Sequence, residues 1–251
     1  MDGTARSSPA GKKRHRGRHP ADETLFAPAR LPALRTAVNE LSWLLERGYS
    51  ESSSLALVGD RHELRKRQRK AVLHCACSDR ARIGRTARKL SWSELAGRHL
   101  AIDGFNCIIT LETAMSGGVV LVGRDGAYRD LSSVHGNYRR VEETHSAVTA
   151  VANLLAGCGV ASVHWLLDRP VSNSGRLKAL IEQVAPSGIP WQVELDYNPD
   201  RVLSEATDRV TATSDAWILD RCGPWIDLPA AVVGDHPIDQ TWILDLGVLH
   251  G

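Results

Sequence analysis

The stretch His99-Leu100-Ala101-Ile102-Asp103-Gly104-Phe105-Asn106 decides how the rest of the chain is read. A short apolar run ends in an aspartate, and an apolar segment of helical character, residues 105–115, follows. Two later stretches repeat the first half of this pattern. Val163-His164-Trp165-Leu166-Leu167 ends in Asp168, and Val210-Thr211-Ala212-Thr213-Ser214 ends in Asp215. Further strands are predicted at 191–195, at 225–228 and in a hairpin, 119–122 and 127–128, turning on Arg124-Asp125-Gly126. Helices predicted over 134–155, 175–184 and 215–221 alternate with the strands. Alternation of this kind predicts an α/β domain over residues 98–234 with a mostly parallel sheet. Residues 235–251 hold apolar positions from Trp242 to Leu246 without a clear period and are expected to form a C-terminal tail.

Upstream of residue 98 the texture is different. Leu34, Val38, Leu41 and Leu45 recur at helical spacing, and Gly48 is a natural stop. Ser50 is suited to cap a short helix through Leu57 that ends at Gly59. A third helix is predicted over 64–77, with Leu64, Gln68, Ala71 and Cys75 on one face and Arg65, Lys66, Arg67, Arg69 and Lys70 on the rest. Residues 78–97 read as an irregular basic connector with a helical turn near 92–95. Residues 31–97 are therefore a small, all-helical, basic module. Residues 1–30 are polar, basic and rich in Pro, Gly and Ser, and are expected to be a disordered tail.

The 251 residues are 43% apolar, enough to bury a sizeable core, and carry a formal charge of only +2. That balance hides an asymmetry. Residues 1–100 carry 21 Lys/Arg against 10 Asp/Glu, whereas residues 191–251 carry 3 against 11. A basic front half suggests a polyanionic partner and an acidic back half suggests cation binding, unless the two halves neutralise each other. Five cysteines, odd in number and widely spaced, point to reduced thiols in a cytoplasmic protein rather than a disulfide framework. No apolar run approaches the length of a membrane span. Walker, HExxH, GxSxG and GxGxxG patterns are missing, which argues against the common nucleotide-binding, zinc-protease and serine-hydrolase classes.

In an open parallel sheet, ligands bind beyond the carboxyl ends of the strands. Three such strands would deliver Asp103, Asp168 and Asp215 to one edge, where mutual repulsion favours a bound divalent cation. Oxygen ligands select Mg²⁺ or Mn²⁺, and such an ion can activate water against a phosphodiester. Asp103 is then the central ligand. Asn106 is one turn into the next helix, where it can orient water or phosphate, and Ser214 can donate to phosphate or to Asp215. Asp196 or Asp208 is the expected fourth acid. Ser172 and Ser174, ahead of a helix, are candidates for holding a phosphate. Arg65, Arg67, Arg69 and Lys70 are candidates for sequence-blind contact with a nucleic-acid backbone. Each aspartate taken singly is as well explained as a turn former or helix cap.

Ala101-Ile102-Asp103-Gly104-Phe105-Asn106 and Thr211-Ala212-Thr213-Ser214-Asp215 resemble the first and last acidic motifs of the PIN-like superfamily, especially its NYN branch, over about residues 98–230. The resemblance implies a three-layer PIN-like domain and a Mg²⁺- or Mn²⁺-dependent nuclease, RNA being a more usual substrate than DNA. It matches Asp103, Asp168 and Asp215 to the family's acids. NYN proteins also carry an acidic motif on a helix before the last strand, where this chain has only Glu205-Ala206-Thr207-Asp208. From about residue 34 the chain further resembles a prokaryotic family known as domain of unknown function 434. The residues that carry this include Leu41-Ser42-Trp43-Leu44-Leu45-Glu46-Arg47-Gly48-Tyr49, Leu57-Val58-Gly59-Asp60-Arg61 and Asp168-Arg169-Pro170-Val171-Ser172-Asn173. The expected partners are nucleic acid and, as an option, a second copy of the chain, with no membrane. The competing expectation is a nucleic-acid-binding protein with a degenerate, non-cleaving PIN-like fold.

Overall fold

The computed structural model describes residues 15–132, 138–235 and 240–248. The basic positions Lys12, Lys13 and Arg14 lie outside the described residues, as does the start of the helix predicted from residue 134. A short helix, α1 (Asp22–Leu25), and a 3₁₀ turn at Pro28–Arg30 lead into four helices: α2 (Leu31–Glu46), α3 (Glu51–Arg61), α4 (Lys66–Cys75) and α5 (Asp79–Arg88). After a 3₁₀ turn at Trp92–Leu95 come β1 (His99–Asp103), α6 (Gly104–Met115), β2 (Val119–Val122), β3 (Tyr128–Asp130) and α7 (Thr144–Gly157). Then follow β4 (Ser162–Asp168), α8 (Ser174–Gln183), β5 (Trp191–Asp196), α9 (Pro199–Glu205), β6 (Val210–Ala212) and α10 (Ala216–Leu219). The described chain ends with β7 (Trp225–Ile226), α11 (Leu228–Asp235) and β8 (Trp242–Asp245).

Five strands form one parallel sheet in the order β5-β4-β1-β6-β7. β1 is central, and Leu100, Ala101 and Ile102 are fully buried because helices cover both faces of the sheet. Leu100, Ile102, Trp165 and Leu167 face α6, α7, α8 and α11. Ala101 and Leu166 face the opposite side, against Leu203 of α9 and Ile218 and Leu219 of α10. The chain winds outward from β1 to β4 and β5, then returns to lay β6 and β7 on the other side. The order reverses between β1 and β6, which opens a crevice at their carboxyl ends.

The helical front half does not stand apart. β2 and β3 form an antiparallel hairpin, and β8 joins β2 in parallel to make a second, three-stranded sheet. Val119, Leu121, Leu131, Leu244 and Leu246 share a core with Phe26, Leu34, Val38, Leu41, Val58, Ala71 and Val72. The helical segment thus borrows strands from the other half to bury its apolar faces. β8 lies within the segment expected as a C-terminal tail, residues 235–251: its four residues are too few to show a period, but Leu244 and the following Leu246 join this core.

Other boundaries shift for local reasons. Residues 15–30 are not the disordered tail expected from composition. Arg16 pairs with Glu112, which is fully buried, and Asp22 takes a bidentate contact from Arg67, Nε to Oδ1 at 2.5 Å and Nη2 to Oδ2 at 2.9 Å. α5 replaces the expected irregular connector. It shows no apolar period, but Ser78 caps it and its buried Arg85 is held by Asp125 and Asp220, each at 2.7 Å. α7 begins only at Thr144, whose buried hydroxyl donates to Glu112 at 2.5 Å.

Candidate active site

The segment after β1 turns into α6 at Gly104. A methyl group on Gly104 would lie 2.4 Å from Leu167 Cδ2 and 3.0 Å from the Leu166 carbonyl, so only glycine lets α6 start this close to β4. Asp103 caps α6, accepting from the Asn106 amide at 3.4 Å. Its other oxygen accepts from Thr213 Oγ1 at 2.7 Å. Thr213 in turn accepts from the Asp215 amide at 3.1 Å, and Asp215 caps α10 by accepting from the amides of Trp217 and Ile218. Ser214 donates to Asn106 Oδ1 at 2.9 Å. The ends of β1 and β6 are therefore knitted by hydroxyl bridges, and among the described residues neither Asp103 nor Asp215 forms an ion pair.

Asp103, Asp168 and Asp215 line a single cavity of about 410 Å³ at this edge, together with Asn106. Two further carboxylates join them. Asp200, in the first turn of α9, supplies the acid on the helix before β6. Asp130, at the end of β3, also lines it and accepts from Thr110 Oγ1 at 3.1 Å and the Ser132 amide at 2.5 Å. Lys70 and His74 of α4 line the same cavity, so the helical segment contributes to it directly. An adjoining cavity of about 200 Å³ shares His74, Asn106, Asp130 and Asp215 and is walled by Arg85 and Arg129.

Of these carboxylates Asp103 is buried, Asp130, Asp168 and Asp215 are half-buried, and Asp200 is exposed. Burial pushes the Asp103 carboxyl up to about 7; the Thr213 hydroxyl opposes this, and Asp215 adds to it. Burial raises Asp168, with Asp196 contributing, and burial followed by Asp215 and Asp168 raises Asp200. Burial likewise holds the His74 imidazole down at about 4, so it is neutral at pH 7. Its Nδ1 sits 3.0 Å from the Asp130 carbonyl. A carbonyl only accepts, so Nδ1 carries the proton and Nε2 is left with a lone pair. The donor set, all carboxylate oxygen, suits a hard dication such as Mg²⁺ or Mn²⁺. Among the described residues, no three acidic, His or Cys side chains already converge on one ion position.

The remaining candidates lie elsewhere. Asp196 is beside Asp168 in strand register but caps the next turn, accepting from the Asn198 amide at 2.6 Å, and does not line the cavity. Asp208 is at the other end of the sheet, paired with Arg209 at 3.0 Å near His99 and Ser162, because it precedes β6 instead of following it. The Ser172 hydroxyl donates to the Tyr138 carbonyl and that of Ser174 to the Arg169 carbonyl, so both serve the chain's own backbone ahead of α8. Arg67 is taken by Asp22, and Arg69 by Asp60 at 2.6 Å. Arg65 is exposed. Asp200 escaped sequence reading because its helix spans seven residues; the signal was Asn198-Pro199, a cap followed by proline at the first helical position.

Residues 92–231 match a family model described as Domain of unknown function (DUF5616), and residues 33–88 match one described as Protein of unknown function (DUF434). The DUF434 resemblance is thus confined to the helical segment. Uncharacterized protein MJ0935 of Methanocaldococcus jannaschii is 31% identical over 189 residues, covering 74% of this chain and 89% of that protein. No solved structure matches the chain. The site is built from both matched segments, and with more than half its length under the first of these models, the chain belongs to the DUF5616 family, with a DUF434 segment ahead of it.

Proposed function

We propose that this protein is a divalent-metal-dependent nuclease acting on RNA, with residues 92–231 forming a PIN-like domain. The observation that carries the reading is the delivery of Asp103, Asp168 and Asp215, from three separate strand ends, into one cavity at the point where strand order reverses, with Asp200 as a fourth acid. Asp103, Asp168, Asp200 and Asp215 would hold the ion. A bound Mg²⁺ or Mn²⁺ supplies an activated water and neutralises charge on the phosphodiester. Thr213 fixes the rotamer of Asp103, and Ser214 fixes that of Asn106, whose amide is left to orient water or phosphate. The raised carboxyls of Asp103, Asp168 and Asp200 support the reading: burial is the larger cause and neighbouring aspartates the smaller, and a bound cation offsets both. The five cysteines are free, consistent with a reducing cytoplasmic setting, and among the described residues no helix is long and apolar enough to cross a membrane.

A second reading, a non-cleaving nucleic-acid-binding protein on the same fold, is favoured by two observations: Asp103 and Asp215 already serve as helix caps, and among the described residues no three acids converge on an ion position. Labelled single-stranded RNA incubated with Mn²⁺ separates the two. Cleavage by the wild type that disappears in Asp103→Asn supports the nuclease; binding without cleavage in both proteins refutes it.

A further inference from the structure

α4 turns its Gln68, Ala71 and Cys75 face into the core it shares with the hairpin, and Gln68 anchors it by donating to the Leu25 carbonyl at 2.8 Å. Lys70 and His74, four positions apart, fall on a common face. Both side chains line the cavity at the carboxyl edge of the main sheet. Lys70 Nζ donates to the carbonyls of Leu131 and Ser132 at 3.1 and 2.6 Å, which fixes the ammonium at the cavity wall instead of leaving it to sweep through solvent. The neighbouring arginines 67 and 69 are held by Asp22 and Asp60, whereas Lys70 lines the cavity that the five aspartates also line.

We propose that the two family segments form one composite site, in which Lys70 of the DUF434 segment holds a phosphate of a single-stranded nucleic acid against the aspartate edge of the DUF5616 segment. The proposal rests on the nuclease reading for its substrate and goes beyond it by assigning the substrate-binding wall. A phosphate entering a cavity lined by five aspartates is repelled unless cations flank it. A dication on the aspartates and an ammonium lining the same cavity do so together. The size of the cavity sets the strand state. At about 410 Å³ it lies toward the small end of ligand pockets, a volume that suits one inserted nucleotide better than the backbone of a duplex. A single strand can splay one nucleotide inward.

The test uses the full chain with Ca²⁺ present as the dication on the aspartates, and measures anisotropy of a labelled single-stranded oligoribonucleotide across a salt series. Lys70→Met should weaken binding about tenfold and lower the slope of log K against log salt by about one, with Lys70→Arg restoring both. A hairpin duplex of the same composition should bind more weakly and be indifferent to the substitution. A second measurement needs no variant: acylation of lysines in the wild-type protein, read by peptide mass. Saturating oligonucleotide should protect Lys70 and leave Lys66, exposed on the same helix, reactive. Unchanged affinity and slope in Lys70→Met, Lys70 reactivity indifferent to oligonucleotide, or no binding by the wild type would each overturn the proposal. Lys70-dependent binding without cleavage in Mn²⁺ would support the composite binding site while overturning the nuclease reading alone.

Discussion

Asp103→Asn should make the metal-free protein more stable at pH 8 and not at pH 4. The Asp103 carboxyl rises from its ordinary 3.8 to about 7, chiefly because it is buried at the β1–β6 crevice. The folded state therefore binds this proton more tightly than the unfolded state does. The stabilising contribution is full below about pH 4 and is lost as pH rises through about 7. Above that, keeping the carboxylate ionised costs about 4 kcal/mol, at about 1.36 kcal/mol per pKa unit. Asparagine removes the charge but accepts with one oxygen only, so it cannot serve both the Asn106 amide and Thr213. Those losses amount to about 2 kcal/mol. The net gain near pH 8 is about 2 kcal/mol, or about 4–8 °C in Tm for a chain of this size. Urea and thermal unfolding with chelator present, from pH 4 to pH 8.5, measure it. Mn²⁺ should raise the Tm of the wild type and not of the variant. A variant destabilised equally at both ends of the range would mean that Asp103 is a cap and nothing more, and the reasoning from buried, unrelieved charge would fail.

Gly104→Ala drives a methyl against Leu167 and the Leu166 carbonyl, so it should destabilise by about 1–3 kcal/mol and, by shifting Asp103, weaken Mn²⁺ binding measured by calorimetry. Asp125 is almost fully buried between Arg85 and Arg129; burial works against its charge, but the two guanidiniums outweigh it and hold the carboxyl well below its ordinary value. Asp125→Asn should therefore cost about 3–5 kcal/mol near neutral pH in urea unfolding, and the wild type should lose that contribution as pH falls below about 4. Arg16→Ala leaves the buried Glu112 with Tyr138 and Thr144 as its side-chain donors among the described residues, and a loss of about 2 kcal/mol should appear in the same assay. Mn²⁺ affinity, titrated from pH 5.5 to 8.5, should fall below about pH 7, where Asp103 must release its proton before it can ligate.

Strands of the main sheet were legible because a strand buried on both faces is a continuous apolar run with a hard stop, and the stops here are aspartates. The same rule places Asp103, Asp168 and Asp215 together without coordinates. It fails for acids whose position depends on chain direction or on a short helix. Asp208 looks as close to β6 as Asp215 does, but it enters the strand instead of leaving it, and so lies at the opposite edge. Asp200 is set by a seven-residue helix that packs on β1 and β4, too short for periodicity. Asp130, Lys70 and His74 belong to elements outside the main sheet, and no local pattern says that a hairpin and a helix from the front half will fold over the carboxyl edge. α5 was hidden for another reason. Its buried side chain is an arginine, and apolar spacing is blind to a helix held by Arg85 in a buried ion-pair cluster.

That cluster also decides what the charge asymmetry means. The basic front half and acidic back half suggest either a polyanion partner or mutual neutralisation, and one direct pair between them among the described residues, Arg85 with Asp220, is visible. Arg85 bridges Asp125 and Asp220, Arg124 reaches back to Asp79 at 2.9 Å, and Arg88 donates to the carbonyls of Leu219 and Cys222. These contacts cross the boundary between the two family segments near residue 90, so the segments are parts of one packed structure. Positive charge available for steering a nucleic acid is accordingly less than composition implies. What the composite-site proposal draws on is local: an ammonium bonded to two carbonyls, lining a cavity that carboxylates from separate strands also line. Affinity built that way should depend on few ion contacts and show a shallow salt slope, the opposite of a protein that grips a backbone along a basic helix.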